Sequence, residues 1–336
     1  MDELSRQEKL VEQYAAADDK ESAVKLLYAL IVKCAEAKDF ARAEALREKL
    51  FEVDAMALDA IVKAAELIEA GKSAARDQTH LNTWSKLYEK LTEGETNAFY
   101  FALQAATYEA DQIIFRQGQS HSRLYFIDDG RLKMFFRKGK QGIMLKALGP
   151  GEIAGEETFF SNSFCTASLM THSRVKLRFL GKEVLSKWKT EFPGLESKLH
   201  DYCLQLESVS DLLQKKGLER RAHERLNIPG HAAVQILKDS GEPAGKPWKA
   251  EVADISLSGL SFFYKIPAKY GTVLLGRRLN LKCILPQDKP KLKFERNATI
   301  VSVNSLPFEE FSIHVKFENE LDPDRFKELA NFALTQ

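Results

Sequence analysis

The chain has 336 residues, of which 44% are hydrophobic and 29% are charged, and its formal net charge is +1. This length predicts about two or three domains, and the hydrophobic content is sufficient to give each domain a core. The balanced charge excludes a general nucleic-acid-coating protein, because such proteins need an excess of lysine and arginine to displace counterions from phosphate, so we expect no DNA partner.

The amino terminus is charged, and no apolar stretch of signal-peptide length follows it. The longest apolar run, from Leu26 to Val32, ends at Lys33 and is too short to cross a bilayer. We therefore expect a cytoplasmic protein without membrane insertion. The cysteines have neither CxxC nor Cys/His ligand spacing, so we expect no metal and no other cofactor. They are Cys34, Cys165, Cys203 and Cys283.

Residues 1–80 are predicted to form a helical domain. Apolar residues recur at steps of three and four on both sides of a break at Asp39, and they are Val24, Leu27, Leu30, Ile31, Cys34, Ala43, Leu46 and Leu50. This spacing predicts antiparallel helices. The stretch from Lys25 to Asp54 is similar to one tetratricopeptide unit, although a plain helical bundle explains the pattern equally well. Since no ionisable cluster here indicates chemistry, we expect this region to bind an unidentified protein partner.

Residues 81–193 are predicted to form a second domain, a β-roll. A helical stretch from Leu81 to about Ala105 comes first, and the hydrophobic period then changes to two. The short strand-like segments are Gln112–Phe115, Leu124–Ile127, Leu132–Phe136 and Val175–Phe179. Many short strands separated by turn residues are typical of a roll or a barrel.

Three segments of this domain are similar to cyclic-nucleotide-binding domains of the catabolite-activator type, and they are Gly118, Leu124–Leu132 and Gly149–Glu156. The resemblance covers about residues 84–193. In that family a glutamate accepts a hydrogen bond from the ribose 2′-hydroxyl, and an arginine neutralises the cyclic phosphate. The resemblance implies that Glu156 is the ribose residue, but Cys165, followed by Thr166, stands where the arginine belongs.

Losing a charge-assisted contact of this kind costs about 1.5–3 kcal/mol. Ordinary cyclic AMP binding is therefore not expected of the pocket formed by Glu156, Cys165 and Thr166. Two interpretations stay open. The roll is a degenerate fold that serves as a structural module, or it binds another small ligand or cyclic AMP through a rearranged pocket.

Residues 194–217 are predicted to form a connecting helix. Its apolar residues form a heptad seam with alternating steps of four and three, and they are Leu195, Leu199, Tyr202, Leu206, Val209 and Leu213. Gly217 stands where a glycine ends a helix. In the activator family the equivalent helix makes the dimer contact, so the resemblance implies a homodimer through residues 195–213. Packing of the seam against the protein's own roll is the second interpretation.

Residues 218–336 are predicted to form a six-stranded antiparallel β-barrel with a closing helix. The alternating segments are Ala232–Leu237, Trp248–Val252, Leu260–Tyr264, Leu279–Leu285, Ala298–Val301 and Ile313–Phe317. The closing helix is indicated by the amphipathic spacing of Phe326, Leu329, Phe332 and Ala333. The whole chain is therefore predicted to be a multi-domain α+β protein, with a helical bundle, a roll, a connecting helix and a barrel in that order.

Two clusters of polar and charged residues lie at the start of this last domain. Arg220, Arg221 and Arg225 precede its first strand, and Asp254, Ser256 and Gly259 follow its second. An arginine can form a bidentate fork with guanine O6 and N7 or with phosphate oxygens. A carboxylate accepts from guanine N1 and N2, a serine hydroxyl donates and accepts, and a glycine lets backbone approach a flat ring. The set indicates a site for a guanine-bearing phosphodiester.

These residues resemble the PilZ family of bacterial cyclic di-GMP receptors, whose pattern is RxxxR followed by (D/N)xSxxG. Arg221 and Arg225 fill the first element, and Asp254, Ser256 and Gly259 fill the second. The resemblance implies that the ligand is cyclic di-GMP, and an arginine at position 220 implies two stacked ligand molecules. The alternative is that the RxxxR arginines pair with surface acids while the glycine turns a hairpin.

The sequence has no GxxxxGK[ST] loop, GxSxG elbow or HExxH motif, so we do not expect an enzyme. Three functions remain: a cyclic di-GMP receptor that signals to a protein partner, a cyclic-AMP-type sensor acting through the roll, and a scaffold with vestigial nucleotide folds. For the receptor, we expect the clustered arginines to repel one another. A dianionic ligand then draws their connector onto the barrel at Asp254 and Ser256 and reorients the domains.

Overall fold

The computed structural model of the chain describes residues 3–218, 223–228, 230–265, 273–285, 292–305 and 310–334. The chain divides into two compact units. The first contains Met1–Leu103 and Trp188–Lys198, and the second contains Gln104–Lys187 and Leu199–Gln336. Within the described ranges, no helix has both the length and the apolar character that a membrane span requires.

The first unit is helical, as predicted. Its helices are α1 (Glu3–Ala16), α2 (Lys20–Glu36), α3 (Phe40–Val53), α4 (Leu58–Ala75), α5 (Gln78–Thr83), α6 (Ser85–Tyr88) and α7 (Glu93–Ala102). Asp19 and Asp39 cap α2 and α3 by accepting from backbone N–H groups of the first turn, which lack partners inside a helix. The predicted apolar stripe is buried except for Val24, which is half-buried, and its buried members are Leu27, Leu30, Ile31, Cys34, Ala43, Leu46 and Leu50. The likeness to a tetratricopeptide unit stays a prediction.

The predicted roll is confirmed as two four-stranded antiparallel sheets. Their eight strands are β1 (Gln104–Tyr108), β2 (Ile113–Phe115), β3 (Arg123–Asp129), β4 (Leu132–Lys138), β5 (Gln141–Leu148), β6 (Ile153–Ala154), β8 (Ser168–Thr171) and β9 (Val175–Gly181). The short helix α8 (Glu156–Phe159) follows β6, and a further strand, β7 (Asn162–Ser163), belongs to neither of these sheets. The strand orders are β1-β9-β3-β6 and β2-β8-β4-β5. Alternate residues such as Tyr125 and Ile127 enter the common core, as the period of two requires.

The predicted connecting helix is broken in the structure. After α9 (Val184–Glu191), the chain forms α10 (Leu195–Leu204) and α11 (Val209–Lys215). The heptad spacing continues across the break, but Ser208 and Asp211 form a capping box that begins a new helix. Val209 and Leu213 are buried in the roll core, so this half of the seam packs against the protein's own roll. The homodimer stays a prediction.

The end of α11 has the expected glycine geometry. Gly217 has a φ of 62°, in the left-handed region that favours glycine. The backbone N–H of Leu218 donates to the carbonyl of Leu213 at 2.8 Å, which satisfies an acceptor at the helix end. The prediction that the glycine ends the helix is confirmed.

The six-stranded barrel and its closing helix are also confirmed. The strands are β10 (Gly230–Leu237), β11 (Pro243–Ser256), β12 (Gly259–Lys265), β13 (Arg278–Leu285), β14 (Leu292–Ser305) and β15 (Glu310–Phe317), and the closing helix is α12 (Pro323–Leu334). They are ordered β13-β10-β11-β12-β15-β14, and β13 also pairs with β14, which closes the sheet into a barrel. Leu329 of α12 is fully buried in the barrel core.

A short strand joins the roll to the barrel within the second unit. β7 of the roll pairs with β14 of the barrel, with Ser163 opposite Ser302 and Asn162 opposite Val303. Lys182 holds β7 from the roll side by donating to the Ser161 carbonyl and to Asn162 Oδ1, both at 2.9 Å. The barrel sheet therefore continues into the roll through backbone hydrogen bonds.

Candidate functional site

The β11–β12 hairpin brings the three residues of the DxSxxG motif together. Ser256 and Gly259 are directly opposite each other across the turn, and Asp254 lies opposite Ser261 after a β-bulge in β11. Ser256 is 4% exposed, and its hydroxyl donates to the Gly259 carbonyl at 3.1 Å. In this structure the serine therefore holds the hairpin turn.

Gly259 is required by the closeness of two strands. A Cβ atom at this position lies 2.1 Å from the carbonyl oxygen of Val315 on β15, a distance that real Cβ atoms essentially never show. The structure therefore gives a reason for the glycine within the fold, namely the backbone of β15, and the approach of a flat ligand ring to Gly259 stays a prediction. Any side chain here forces β12 away from β15.

Arg225 of the RxxxR motif lies beside Asp254 of the DxSxxG motif. Its Nη1 atom donates to Asp254 Oδ1 at 2.7 Å, and the two side chains are 22% and 19% exposed. Leu226 fixes this position, because its N–H and carbonyl form two hydrogen bonds, of 2.8 and 3.0 Å, with Ile255 of β11. Arg225 thus pairs with an acid, as in the alternative interpretation, but that acid is Asp254 of the second motif.

The other two predicted arginines, Arg220 and Arg221, lie outside the described residues. Leu218 and His223 are the described residues on either side of them. His223 Nε2 lies 3.1 Å from Glu320 Oε1 beyond β15, so the connector already contacts the barrel two residues before Arg225. The roles of Arg220 and Arg221 stay predictions.

A histidine that the sequence interpretation did not single out also reaches Arg225. His314 Nδ1 lies 3.4 Å from Arg225 Nη1, and its Nε2 lies 3.1 Å from Ser312 Oγ and 3.4 Å from Asn304 Nδ2. The alternating pattern of β15 places this residue on the outer face, because Ile313 and Val315 enter the barrel core. The alternation that places His314 on the outer face can be read from the sequence. The register that brings β15 beside the motif cannot.

The residues of the predicted second pocket also come together, in the roll. Glu156, Cys165 and Thr166 line a cavity of about 10 Å³, to which Val209 of α11 also contributes. Small-molecule sites are typically about 300–1,000 Å³, and about 10–15 Å³ holds one water molecule. The cavity in this structure therefore has no room for a nucleotide.

The electrostatics of this cavity differ from those of an anion site. Burial raises the pKa of the Glu156 carboxyl above 4.5, and its Oε2 atom has no hydrogen-bond partner among the described residues. Burial also raises the pKa of the Cys165 thiol to about 11. Thr166 donates through both its backbone N–H and its hydroxyl to the carboxylate of Glu157. The Glu157 carboxylate thus already accepts from the two Thr166 donors that an anionic ligand would use.

A groove of about 550 Å³ lies on the outer face of β10 and β13. Its basic lining residues are His231, Lys249, Lys282 and Lys293. None of the described motif residues lines it. A lysine from this groove therefore serves as a charge-matched control for the arginine site.

Two family models match the chain. The model described as the cyclic nucleotide-binding domain matches residues 105–189, and the model described as the PilZ domain matches residues 219–334. The first match covers the roll, and the second covers the barrel together with the connector that holds all three predicted arginines.

The curated relatives match less than half of the chain. The CRP-like cAMP-activated global transcriptional regulator of Mycobacterium tuberculosis, from two strains, is 24% identical over 138 residues, which is 40% of this chain and 58% of the relative. The chain therefore spans little more than half the length of these relatives.

Solved structures show limited similarity. The catabolite activator protein of Thermus thermophilus is 24% identical over 39% of this chain and 60% of its own, with a TM-score of 0.33. The regulatory subunit of a cAMP-independent protein kinase A from Trypanosoma brucei is 17% identical over 45% of this chain and 53% of its own, with a TM-score of 0.36. The family matches and the fold agree that the chain contains a cyclic nucleotide-binding domain followed by a PilZ domain.

Proposed function

We propose that this protein is a bacterial cyclic di-GMP receptor and effector, and that its PilZ domain holds the ligand. The observation that carries the proposal is the contact between Arg225 and Asp254, which joins the RxxxR connector to the DxSxxG hairpin. Both side chains are partly exposed, so a ligand can reach them from solvent. No catalytic role is proposed for either domain.

The chemistry of the ligand matches the residues that converge here. Cyclic di-GMP offers anionic phosphates and two guanine edges, and guanidinium groups form bidentate contacts with both. We assign phosphate or guanine binding to Arg220, Arg221 and Arg225. Asp254 accepts from guanine N1 and N2, because a carboxylate has lone pairs to spare after it accepts one hydrogen bond from arginine. Ser256 and Gly259 support this arrangement by shaping the hairpin.

A titration with cyclic di-GMP and cyclic AMP in parallel tests the proposal. Calorimetry on the full chain is expected to give a dissociation constant in the micromolar range or tighter for cyclic di-GMP. Cyclic AMP is expected to give no saturable heat, because the roll cavity is about 10 Å³. Saturable binding of cyclic AMP alone favours the sensor function of the roll, and binding of neither ligand favours the scaffold.

We further propose that ligand binding reorients the domains and signals to a protein partner through the N-terminal helices. Arg225 is already paired with Asp254, so the ligand's main effect falls on Arg220 and Arg221. Small-angle scattering with and without saturating cyclic di-GMP tests the reorientation, and unchanged curves contradict it. The calorimetric stoichiometry distinguishes one bound ligand from the two stacked molecules that the arginine at position 220 suggests.

A cyclic-AMP-type sensor is the second candidate function. It is supported by the cyclic nucleotide-binding match at residues 105–189 and by a glutamate at position 156. The raised pKa of this buried carboxyl and the missing arginine at Cys165 weigh against it.

A further inference from the structure

A row of polar side chains crosses the outer face of the barrel beside the PilZ motif. Asp254 of β11 lies opposite Ser261 of β12, Ser261 lies opposite His314 of β15, and His314 lies opposite Ser302 of β14. Residues directly opposite one another in antiparallel strands share one face of the sheet. Adjacent strands are about 4.8 Å apart, so Asp254 and His314, two strands apart, are separated by about 10 Å at the backbone.

Arg225 bridges this separation. Its Nη1 atom lies 2.7 Å from Asp254 Oδ1 and 3.4 Å from His314 Nδ1. The Nη1 atom thus contacts the two residues that flank Ser261 in the row. Ser261 is only 1% exposed, although Leu260 and Phe262 on either side of it are the ones that enter the core. The Arg225 side chain is 22% exposed, so these two contacts hold it at the sheet surface.

The direction of these hydrogen bonds fixes the state of the histidine. A guanidinium can only donate, so a hydrogen bond from Arg225 requires His314 Nδ1 to accept, which assigns the imidazole proton to Nε2. Ser312 Oγ, 3.1 Å from Nε2, accepts from it. Asn304 Nδ2, 3.4 Å from the same nitrogen, is itself a donor and makes no hydrogen bond with Nε2 in this tautomer. Ser312 thus holds the ring from the side opposite Arg225.

We propose that His314 is a positioning residue of the ligand site, an inference that rests on the proposed function. Its contact and that of Asp254 hold the Nη1 atom of Arg225 at the barrel surface. Within the described part of the chain both hydrogen bonds of Arg225 use Nη1, so the guanidinium keeps further N–H donors for the ligand. Fixing a long side chain before binding removes the entropic cost of ordering it in the complex. His314 therefore increases affinity for the guanine-bearing ligand through Arg225, without touching the ligand itself.

Calorimetry with cyclic di-GMP on three full-length proteins tests this role. His314→Leu removes the acceptor and is expected to weaken binding about ten-fold, which is about 1.4 kcal/mol. His314→Asn keeps an acceptor oxygen at the position of Nδ1 and is expected to bind within about three-fold of the wild type. A role in folding alone predicts that the two variants lose affinity together, in step with their thermal unfolding midpoints.

The outcomes separate the two proposals. If the wild type binds cyclic di-GMP and His314→Leu binds equally well, or if the asparagine variant is as weak as the leucine variant, the positioning role is wrong and the receptor function stands. If the wild type does not bind, both proposals are wrong. Should the leucine variant fail to fold, Ser312→Ala takes its place, because it leaves the ring but removes the acceptor for Nε2, and it is expected to weaken binding about three-fold. Unchanged affinity in that variant also overturns the role.

Discussion

The roll and the barrel carry the motifs of two nucleotide-binding families, but they place their charges in opposite ways. In the barrel, Arg225 and Asp254 meet at the surface, each about one-fifth exposed, and form a pair that a polar ligand can join. In the roll, the Glu156 Oε2 atom is buried with no hydrogen-bond partner among the described residues, and the cysteine at position 165 is 5% exposed. A family match therefore indicates the fold of each domain, whereas ligand binding also needs accessible charges of the right sign.

The thiol at position 165 and the carboxylate of Glu157 together explain the difference. An anion site needs cationic or N–H donors that are free to turn to the ligand. In the roll, the donors of Thr166 are used by Glu157, and burial keeps the Cys165 thiol neutral by raising its pKa to about 11. The roll therefore has the fold of a cyclic nucleotide-binding domain, while the donors of Thr166 in the predicted pocket already serve the carboxylate of Glu157.

The largest effect is expected when the arginine that the roll lacks at position 165 is introduced. Cys165→Arg is expected to lower the free energy of unfolding by about 3 kcal/mol, because a long charged side chain enters a nearly closed core position. It is also expected to give no cyclic AMP binding, since the cavity measures about 10 Å³. Chemical denaturation and calorimetry measure the two effects. A stable variant that binds cyclic AMP shows that the arginine alone was missing and that the pocket opens readily.

Removing a single charged residue from the predicted barrel site tests whether that site binds the ligand. Asp254→Ala and Arg221→Ala are each expected to weaken cyclic di-GMP binding by about 2 kcal/mol, or about thirty-fold, because a charge-assisted contact is lost. Asp254→Asn keeps an acceptor oxygen, and the (D/N)xSxxG pattern allows it, so it is expected to bind within about five-fold of the wild type.

Lys249→Ala is the matched control, because it removes one positive charge from the groove on another face of the same barrel. Its affinity for cyclic di-GMP is expected to equal that of the wild type at physiological salt, where distant surface charges are screened. An equal loss in Lys249→Ala and Arg221→Ala indicates that binding depends on net charge rather than on the motif.

The sequence was sufficient for the elements that depend on local patterns. Period-two alternation located the six barrel strands, and the alternative interpretation placed Gly259 at a hairpin turn, where the structure pairs it with Ser256. The two-residue strand β7 was too short to give any period, so its pairing with β14 was not predicted. The connecting helix was predicted as continuous because the apolar spacing runs through Ser208. The capping box at Ser208 begins a new helix there, so the local capping residues, not the apolar spacing, mark the break.

Long-range register explains what was missed at the site. His314 was recognised as part of a strand, but its contact with Arg225 depends on how β12 and β15 align, 53 positions apart at Ser261 and His314. Alternation predicts which face a side chain occupies and does not predict which residue of a distant strand lies beside it. The motif residues were found because they cluster along the chain, and the positioning residue was missed because it joins them only in three dimensions.

The buried carboxyl of Glu156 gives the smallest expected effect and a pH dependence with a definite sign. Because burial raises its pKa above 4.5 in the folded state, folding favours the protonated acid. The wild type therefore loses stability as the pH rises from about 4.5 through the raised folded pKa, and it keeps this loss at neutral pH. Glu156→Gln removes the titration and is expected to be more stable than the wild type by about 1 kcal/mol at pH 8, with the difference vanishing below pH 4.5. Denaturation curves at both pH values measure it. A variant that is less stable at pH 8 shows that the carboxylate is solvated or paired there, and the roll would then resemble the barrel in keeping its charge accessible.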